Sequence, residues 1–274
     1  MRKLFKRRPR QSFVATRTTK RRLRLRLFPR DPFGHIIFFK RVLMGVVGAL
    51  TYARYNIINR TKVVGVEHLH RLPSQNVMFI SNHQTYFADV IAMFHIFCGV
   101  KWRFKNINFP IYLLLPRVKS YYVAAEETMK KGGMLPKVLA YAGAVTIKRS
   151  WRSAGQDVER GVDKQAPDKI RRALEDGWVV NFPQGTTRAG APVRRGAASL
   201  IKQLNPIVVP VEINGFRRAF DKKGFFLKKR GTQLTITFYA PVQFPPDASV
   251  DEIYDFLQAH VLRQAHGRQA TSQS

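Results

Sequence analysis

Cysteine and acidic residues are scarce in this sequence of 274 residues. The single cysteine, Cys98, excludes a framework of internal disulfides, and its apolar surroundings are typical of a buried core thiol. Aspartate and glutamate number 17 against 48 lysines and arginines, which gives a formal net charge of +31. This excess of positive charge predicts a polyanionic partner: nucleic acid, an anionic membrane surface or a phosphorylated substrate.

Several motifs of common enzymes are also absent from the sequence. There is no P-loop, no glycine fingerprint for dinucleotides, no Gly-x-Ser-x-Gly, and no His-Glu-x-x-His or Cys-x-x-Cys pattern. We therefore expect neither a bound metal nor a cofactor. A hydrophobic content of 45% and an aromatic content of 12% are those of a globular protein.

No uninterrupted apolar run reaches the roughly 20 residues that a membrane-spanning helix needs. The segment from His35 to Tyr55 is predicted to be helical, but Lys40 and Arg41 interrupt it. We expect this helix to be membrane-associated and to lie in one leaflet with its cations at the headgroups; a buried core helix is the alternative. The first 30 residues carry 13 lysines and arginines and no acid, which predicts a disordered basic tail rather than a secretory signal.

Apolar strands and helices alternate from about residue 60 onwards. The predicted strands are Val63–Val66, Val77–Ile80, Tyr121–Ala124, Ala144–Lys148, Trp178–Phe182 and Ile207–Ile213, and the predicted helices are Phe87–Phe97, Leu135–Tyr141, Lys169–Glu175, Ala197–Leu204 and Asp251–Arg263. This pattern predicts an α/β fold with a mixed, largely parallel sheet flanked by helices. Phe225–Lys228 and Gln233–Tyr239 are predicted to pair as a hairpin.

The stretch Ser81 to Asp89 contains the first group of candidate functional residues. The predicted strand Val77–Ile80 delivers His83 to its end, and Asp89 is the only Asp, Glu, Lys or Arg between Arg71 and Lys101. A carboxylate in such an apolar segment is costly unless a partner is near, and His83 is the nearest candidate. A capped turn followed by an acidic residue at a helix start is the alternative interpretation.

Two further strand ends carry polar residues. One strand ends at Arg149, and another is followed by Gln184, Gly185, Thr186 and Arg188. In parallel α/β sheets, ligands bind at the carboxyl ends of strands, so these residues and His83 are expected to share one cleft. A His held by an Asp supplies a general base, and arginines bind anions. Taken singly, each arginine has a plain alternative as a solvated strand end or a salt-bridge partner.

The order of these blocks resembles the glycerolipid acyltransferase family, best known for lysophosphatidic acid acyltransferases. That family carries Asn-His with a downstream Asp, a strand ending in Arg, Phe-Pro-Glu-Gly-Thr-Arg, and then a Val-Pro-rich strand. The matching segments here are Asn82-His83…Asp89, Gly143…Arg149, Phe182 to Arg188, and Ile207 to Val211. Together with the charge and hydropathy patterns, the resemblance predicts four regions: a basic disordered tail 1–31, the membrane-associated helix 32–60, an acyltransferase domain 61–245, and a C-terminal helix and tail 246–274.

The resemblance also implies a reaction. The protein is expected to move a fatty acyl group from acyl-CoA or acyl-carrier protein to a lysophospholipid, with 1-acyl-sn-glycerol-3-phosphate as the expected acceptor. His83 would be the base and Asp89 its orienting partner, while Arg149, Gln184, Gly185, Thr186 and Arg188 would bind substrate. The expected partners are these substrates and anionic membrane lipids at the cytoplasmic face, without nucleic acid.

Two departures from the family pattern leave other functions open. Five residues instead of four separate His83 from Asp89, and Gln184 stands where the family has Glu, with an additional Thr187 before Arg188. An uncharged Gln184 suits a different acceptor, such as an amino-acid lysolipid. An alternative of another class is a nucleic-acid-binding protein that uses the basic tail and the aromatic strip around Trp102.

Overall fold

The computed structural model describes residues 28–131, 134–148, 152–153, 156–157 and 163–266. Most of the predicted basic tail, residues 1–27, and Arg149 therefore lie outside the described residues. The described part forms one central sheet with helices on both faces, which confirms the predicted α/β class.

The central sheet has seven strands. The nine strands of the described chain are β1 (Arg60–Val64), β2 (Val77–Ser81), β3 (Ser120–Ala125), β4 (Ala144–Ile147), β5 (Arg152–Ser153), β6 (Gln156–Asp157), β7 (Trp178–Asn181), β8 (Ile207–Asn214) and β9 (Gln233–Phe238). The order in the large sheet is β1-β9-β8-β2-β7-β3-β4, and β5 and β6 form a separate small ladder. Within the large sheet all neighbouring strands are parallel except β8 and β9, so this sheet is mixed and largely parallel, as predicted.

Helices cover both faces of the sheet. Their bounds are α1 (Ile37–Asn56), α2 (Val66–His70), α3 (Ala88–Lys101), α4 (Glu126–Lys131), α5 (Met134–Tyr141), α6 (Ala166–Asp176), α7 (Arg195–Leu204), α8 (Phe216–Ala219) and α9 (Val250–His266), with a short 3₁₀ helix at Pro110–Leu113. Alternate residues of β2 point to opposite faces. Val77 and Phe79 pack with α1, α2 and α3, whereas Met78 and Ile80 pack with α6, α7 and α9.

Helix α3 is buried along nearly its whole length. Twelve of its 14 residues are buried, Asp89 among them, because the helix is apolar on every side. It lies between the sheet and α1, so its first turn follows directly from the loop that leaves β2. The arrangement places Asp89 in the protein interior beside that loop.

The prediction that residues 225–239 form a hairpin is wrong. Only Gln233–Phe238 is a strand, and it pairs with β8 and β1 rather than with Phe225–Lys228. The carboxylate of Asp221 instead accepts hydrogen bonds from the backbone amides of Gly224, Phe225 and Phe226 at 2.8–2.9 Å. These bonds, with Gly224 at φ +85°, close residues 221–226 into a compact loop.

Helix α1 presents an exposed apolar surface that continues into residues 109–115. Glycines at 45 and 48 allow the 3₁₀ helix to pack closely, since a Cβ at Gly48 would lie 2.5 Å from Leu113 Cδ2. Among the described residues, no helix combines the length and apolar character needed to cross a membrane. We call the following exposed side chains the apolar face: Phe38, Phe39, Val42, Val46, Leu50, Phe109, Ile111, Leu114 and Leu115.

One cation of α1 does not face the surface as expected. Lys40 is buried, and its ammonium lies 3.2 Å from Asp31 and 4.0 Å from the centre of the Tyr121 ring. Burial lowers the pKa of Lys40, and the nearby carboxylate of Asp31 opposes that shift. Because Lys40 points into the protein, it leaves the apolar face free of its charge.

Candidate functional site

The site begins where the chain leaves β2, in the middle of the sheet. Strand β2 is buried along its length between β7 and β8. The side chain of Asn82 then makes two hydrogen bonds to the backbone of Ile213 in β8: its amide donates to the carbonyl at 2.9 Å, and its oxygen accepts from the amide at 2.7 Å. These bonds fix the direction in which the next residue, His83, leaves the sheet.

His83 and Asp89 are in direct contact. The Nδ1 atom of His83 lies 3.0 Å from Oδ2 of Asp89, whose side chain is fully buried. The same oxygen accepts the backbone amides of Gln84 and Thr85 at 2.6 and 3.1 Å, and Oδ1 accepts the Thr85 hydroxyl at 2.8 Å. These four contacts fix the orientation of the carboxylate beside His83. The loop before α3 therefore absorbs the five-residue spacing by wrapping around the carboxylate.

The ring of His83 is held in one orientation. It stacks on Phe182 with the ring centres 3.9 Å apart and the planes at 17°, and its side chain remains 13% exposed. With Nδ1 donating to Asp89, the neutral ring carries its lone pair on Nε2. His83 lines a large open cleft, so a proton acceptor is available to a bound substrate there.

A second histidine of the same region has different properties. His95 in α3 is fully buried, with Nδ1 3.0 Å from the Tyr112 hydroxyl and Nε2 3.1 Å from the Thr51 hydroxyl. Burial lowers the pKa of His95 to about 3, so the ring is neutral and structural. It ties α1, α3 and the 3₁₀ helix together and does not line the cleft.

The loop after β7 forms another wall of the cleft. Gly185 has φ +64°, and its amide donates to the Phe182 carbonyl at 2.9 Å, so the amide is used to close the turn. The Thr186 hydroxyl accepts the backbone amide of Arg188 at 3.2 Å, and the Arg188 side chain is exposed. Gly185, Thr186 and Arg188 all line the cleft with His83.

Gln184 is placed differently from its neighbours. Its side chain is 4% exposed, and its amide nitrogen donates to the Ala191 carbonyl at 2.6 Å. It does not line the cleft. The residue therefore stabilises the loop of residues 183–194 from inside, where a neutral amide is well suited to a carbonyl partner.

The end of β4 is described only in part. The strand ends at Ile147, and Lys148, which follows it, lines the cleft. Arg149 lies outside the described residues, so its predicted contact with substrate stays a prediction.

The structure adds two residues that the sequence motifs did not identify, Gln84 and Arg217. The side chain of Gln84 donates to the Ile213 carbonyl at 2.9 Å and accepts the backbone amide of Arg217 at 3.1 Å. The Arg217 guanidinium donates to the Thr187 carbonyl at 2.7 Å. Arg217 therefore joins the His83 loop to the loop after β7. In the sequence, only the position of Arg217 just beyond the carboxyl end of β8 could have indicated that it belongs to the site.

The cleft is large and mostly positive. Its volume is about 1750 Å³, and apolar side chains such as Phe87, Val90 and Tyr122 form part of its wall. Three acids line it against eight cations, and Arg195 is paired with Asp251. Among the described residues no group of three His, Cys, Asp or Glu side chains could hold a metal ion. The lining cations are Lys148, Arg188, Arg194, Arg195, Arg217, Lys222, Lys223 and Lys228.

Comparisons with known proteins assign the chain to a family. No curated protein matches the sequence. Among solved structures, the chain is similar to the crystal structure of PlsC, the 1-acyl-sn-glycerophosphate (LPA) acyltransferase of Thermotoga maritima, at 16% identity and a TM-score of 0.48, over 85% of this chain and 80% of that chain. The family model described as Acyltransferase matches residues 60–214, which include His83, Asp89 and the loop after β7. Because this match spans more than half of the sequence, the chain belongs to the acyltransferase family.

Proposed function

We propose that the protein transfers a fatty acyl group from a thioester donor, acyl-CoA or acyl-carrier protein, to the free hydroxyl of 1-acyl-sn-glycerol-3-phosphate, and so forms phosphatidic acid. The observation that carries the proposal is the His83–Asp89 pair in a cleft that is both cationic and partly apolar. An acceptor with one phosphate and one acyl chain matches such a cleft in both properties.

His83 acts as the base and then as the acid in this reaction. Its Nε2 atom takes the proton of the acceptor hydroxyl while the oxygen forms a bond to the thioester carbonyl carbon. When the carbon–sulfur bond breaks, the imidazolium returns this proton to the departing thiolate. Asp89 fixes the Nδ1–H tautomer and stabilises the imidazolium between the two steps, without taking a proton itself.

Cations of the loop after β7 hold the acceptor phosphate. Arg188 offers a guanidinium, whose planar donors fit phosphate oxygens, and the Thr186 hydroxyl keeps its own hydrogen for donation. By the family resemblance, Arg149 is expected to bind the same phosphate as Arg188. Gly185 contributes by closing the turn that positions Thr186 and Arg188, since its amide donates to the Phe182 carbonyl.

Gln184 does not favour a different acceptor. Its buried side chain contacts the Ala191 carbonyl and does not line the cleft, so the replacement of Glu leaves the lining chemistry unchanged. The phosphate-bearing acceptor therefore remains the better proposal over an amino-acid lysolipid.

Purified, detergent-solubilised protein with an acyl thioester tests the proposed acceptor. We expect mass spectrometry to detect phosphatidic acid when 1-acyl-sn-glycerol-3-phosphate is supplied, at a rate several times that with lysophosphatidylethanolamine or an ornithine lysolipid, because only the first ends in a free phosphate monoester. Faster acylation of an amino-acid lysolipid would replace the proposed acceptor. A lack of acyl transfer to every lysolipid would overturn the proposed function.

We further propose that the apolar face rests in one leaflet of a membrane and brings the cleft to its lipid acceptor. Nine exposed apolar side chains on one surface are unusual for a protein in water. Leu50 and Leu114 are 72% and 82% exposed and belong to the two segments that meet at Gly45 and Gly48.

Replacing Leu50 and Leu114 together by glutamate is expected to weaken binding to lipid vesicles by about tenfold or more, since each buried leucine contributes about 1.5–3 kcal/mol. Flotation with anionic vesicles in high salt measures this, because salt screens the attraction of the basic residues. The matched control is Val64→Glu with Gln233→Glu, which adds two carboxylates to exposed positions on β1 and β9. Equal loss in both variants would mean that charge alone, rather than the apolar face, controls binding.

A further inference from the structure

The cations of the cleft come from two sides of His83. In the sheet, β2 lies between β7 and β8, so the loop after β7 and the segment after β8 emerge on either side of His83. The β7 side contributes Arg188, which ends the block that resembles the family motif, and Arg194, which lies six residues further along the chain. The β8 side contributes Lys222, Lys223 and Lys228, which belong to no recognised block.

The lysines on the β8 side are held close to the His83 loop. The backbone carbonyls of Lys222 and Lys223 accept the amides of Tyr86 and Phe87, each at 3.0 Å. Between these contacts and α3 there is no spare room, since a Cβ at Gly224 would lie 2.5 Å from the backbone nitrogen of Ala88. The loop that carries Lys222 and Lys223 is therefore fixed against the loop that joins His83 to Asp89.

The charges of these lysines are available to a ligand. All three side chains are exposed, and the described part of the chain places no carboxylate within 4.0 Å of their ammonium groups. Asp221 is the one acid among them, and its carboxylate is bound to the backbone of its own loop. An exposed cluster of this kind that opens into a cleft raises the local concentration of anions.

We propose that Lys222, Lys223 and Lys228 form a second anion site that binds the phosphate groups of the acyl donor. This proposal rests on the proposed function, in which two anionic substrates must meet at His83. The acceptor phosphate occupies the β7 side, so the donor approaches from the β8 side with its thioester directed at Nε2 of His83. The shared chemistry is a phosphorylated pantetheine arm, carried either by a nucleotide or by a carrier protein.

Replacing Lys222 and Lys223 together by glutamine tests the second site. We expect the KM for acyl-CoA or acyl-carrier protein to rise about tenfold, because two charge-assisted contacts to phosphate are lost. The KM for the lysolipid and kcat at saturating donor are expected to stay within about twofold, because these side chains do not touch the acceptor. Lys229→Gln with Arg230→Gln is the control: it removes the same charge from the same segment at exposed positions that do not line the cleft.

Direct binding separates the possible donors and does not depend on turnover. Titration with CoA and with carrier protein bearing phosphopantetheine is expected to show weaker binding of at least one of them to the Lys222/Lys223 variant. If adenosine 3′,5′-bisphosphate competes with the donor, the nucleotide phosphates of CoA are the bound group. If it does not compete and the Lys222/Lys223 variant binds the carrier protein more weakly, the phosphopantetheine of the carrier is the bound group.

Three outcomes would overturn the second site. The Lys222/Lys223 variant could bind both donors as tightly as the wild type, or the Lys229/Arg230 control could lose as much donor affinity as that variant. The third is that the KM for the lysolipid rises while the KM for the donor does not. A wild-type protein that acylates no lysolipid would count against the proposed function alone, because the binding titration still decides on the second site.

Discussion

Replacement of His83 by alanine is expected to lower kcat about 1,000-fold, because the substrate hydroxyl then has no proton acceptor and the leaving thiolate has no proton donor. His83 is the one histidine of the described chain that contacts Asp89 and lines the cleft. The KM values should change by less than about threefold, since the imidazole acts mainly on the transition state.

Release of free thiol from the donor in the presence of lysolipid, together with mass spectrometry of the product, measures the effect of the His83→Ala change. A His68→Ala variant is the control, since His68 lies at α2, away from the cleft, and should retain full activity. Thermal unfolding of both variants checks the fold. A His83→Ala protein that keeps more than about a tenth of the wild-type rate would exclude His83 as the base, because the loss of a general acid–base group lowers the rate by more than about tenfold.

The features that could be predicted from the sequence are those set by local pattern. The apolar runs at β2 and α3 specify a buried strand and a buried helix, and an acid placed at the start of such a helix requires a partner close by. His83 is the nearest group that can supply one. The polar residues that follow the parallel strands then predict where the cleft lies, because the carboxyl ends of parallel strands meet at one edge of the sheet.

The features that could not be predicted depend on contacts between distant segments. Arg217 reaches Thr187 and Gln84, which are 30 and 133 positions away in the chain, and no local pattern indicates either bond. Lys40 is drawn inwards by Asp31, whereas its place in the sequence suggested a cation at a membrane surface. The strand order β8-β2-β7 decides that the cations lie on two sides of His83, and this order follows from the whole fold.

The failed hairpin prediction has the same origin. Phe225 and Leu227 are apolar enough for a strand, but Phe225 stacks on Phe87 with ring centres 4.8 Å apart, and Asp221 binds the loop backbone. Packing against the His83–Asp89 loop thus overrode the local preference for a strand. The same packing is what brings the lysines of this loop to the cleft.

Replacement of Asp89 by asparagine is expected to lower both activity and stability. The carboxylate accepts hydrogen bonds from the His83 ring, two backbone amides and the Thr85 hydroxyl, whereas an asparagine side chain has one accepting oxygen and a donating amide. At least one of these buried donors then loses its acceptor, which costs about 1–3 kcal/mol in the free energy of unfolding. If the side-chain amide faces Nδ1, the ring switches to the tautomer with hydrogen on Nε2, so kcat should fall by about 1,000-fold or more.

Thr85→Val separates the two consequences of the Asp89 change. This variant removes the hydroxyl that contacts Oδ1 of Asp89 and leaves the His83 contact to Oδ2 in place. We expect it to lose about 1 kcal/mol of unfolding free energy and less than about tenfold in kcat. Denaturant unfolding and steady-state kinetics on both proteins measure the pair of effects. If Thr85→Val lost as much activity as Asp89→Asn, the carboxylate would act by supporting the loop rather than by orienting the His83 ring.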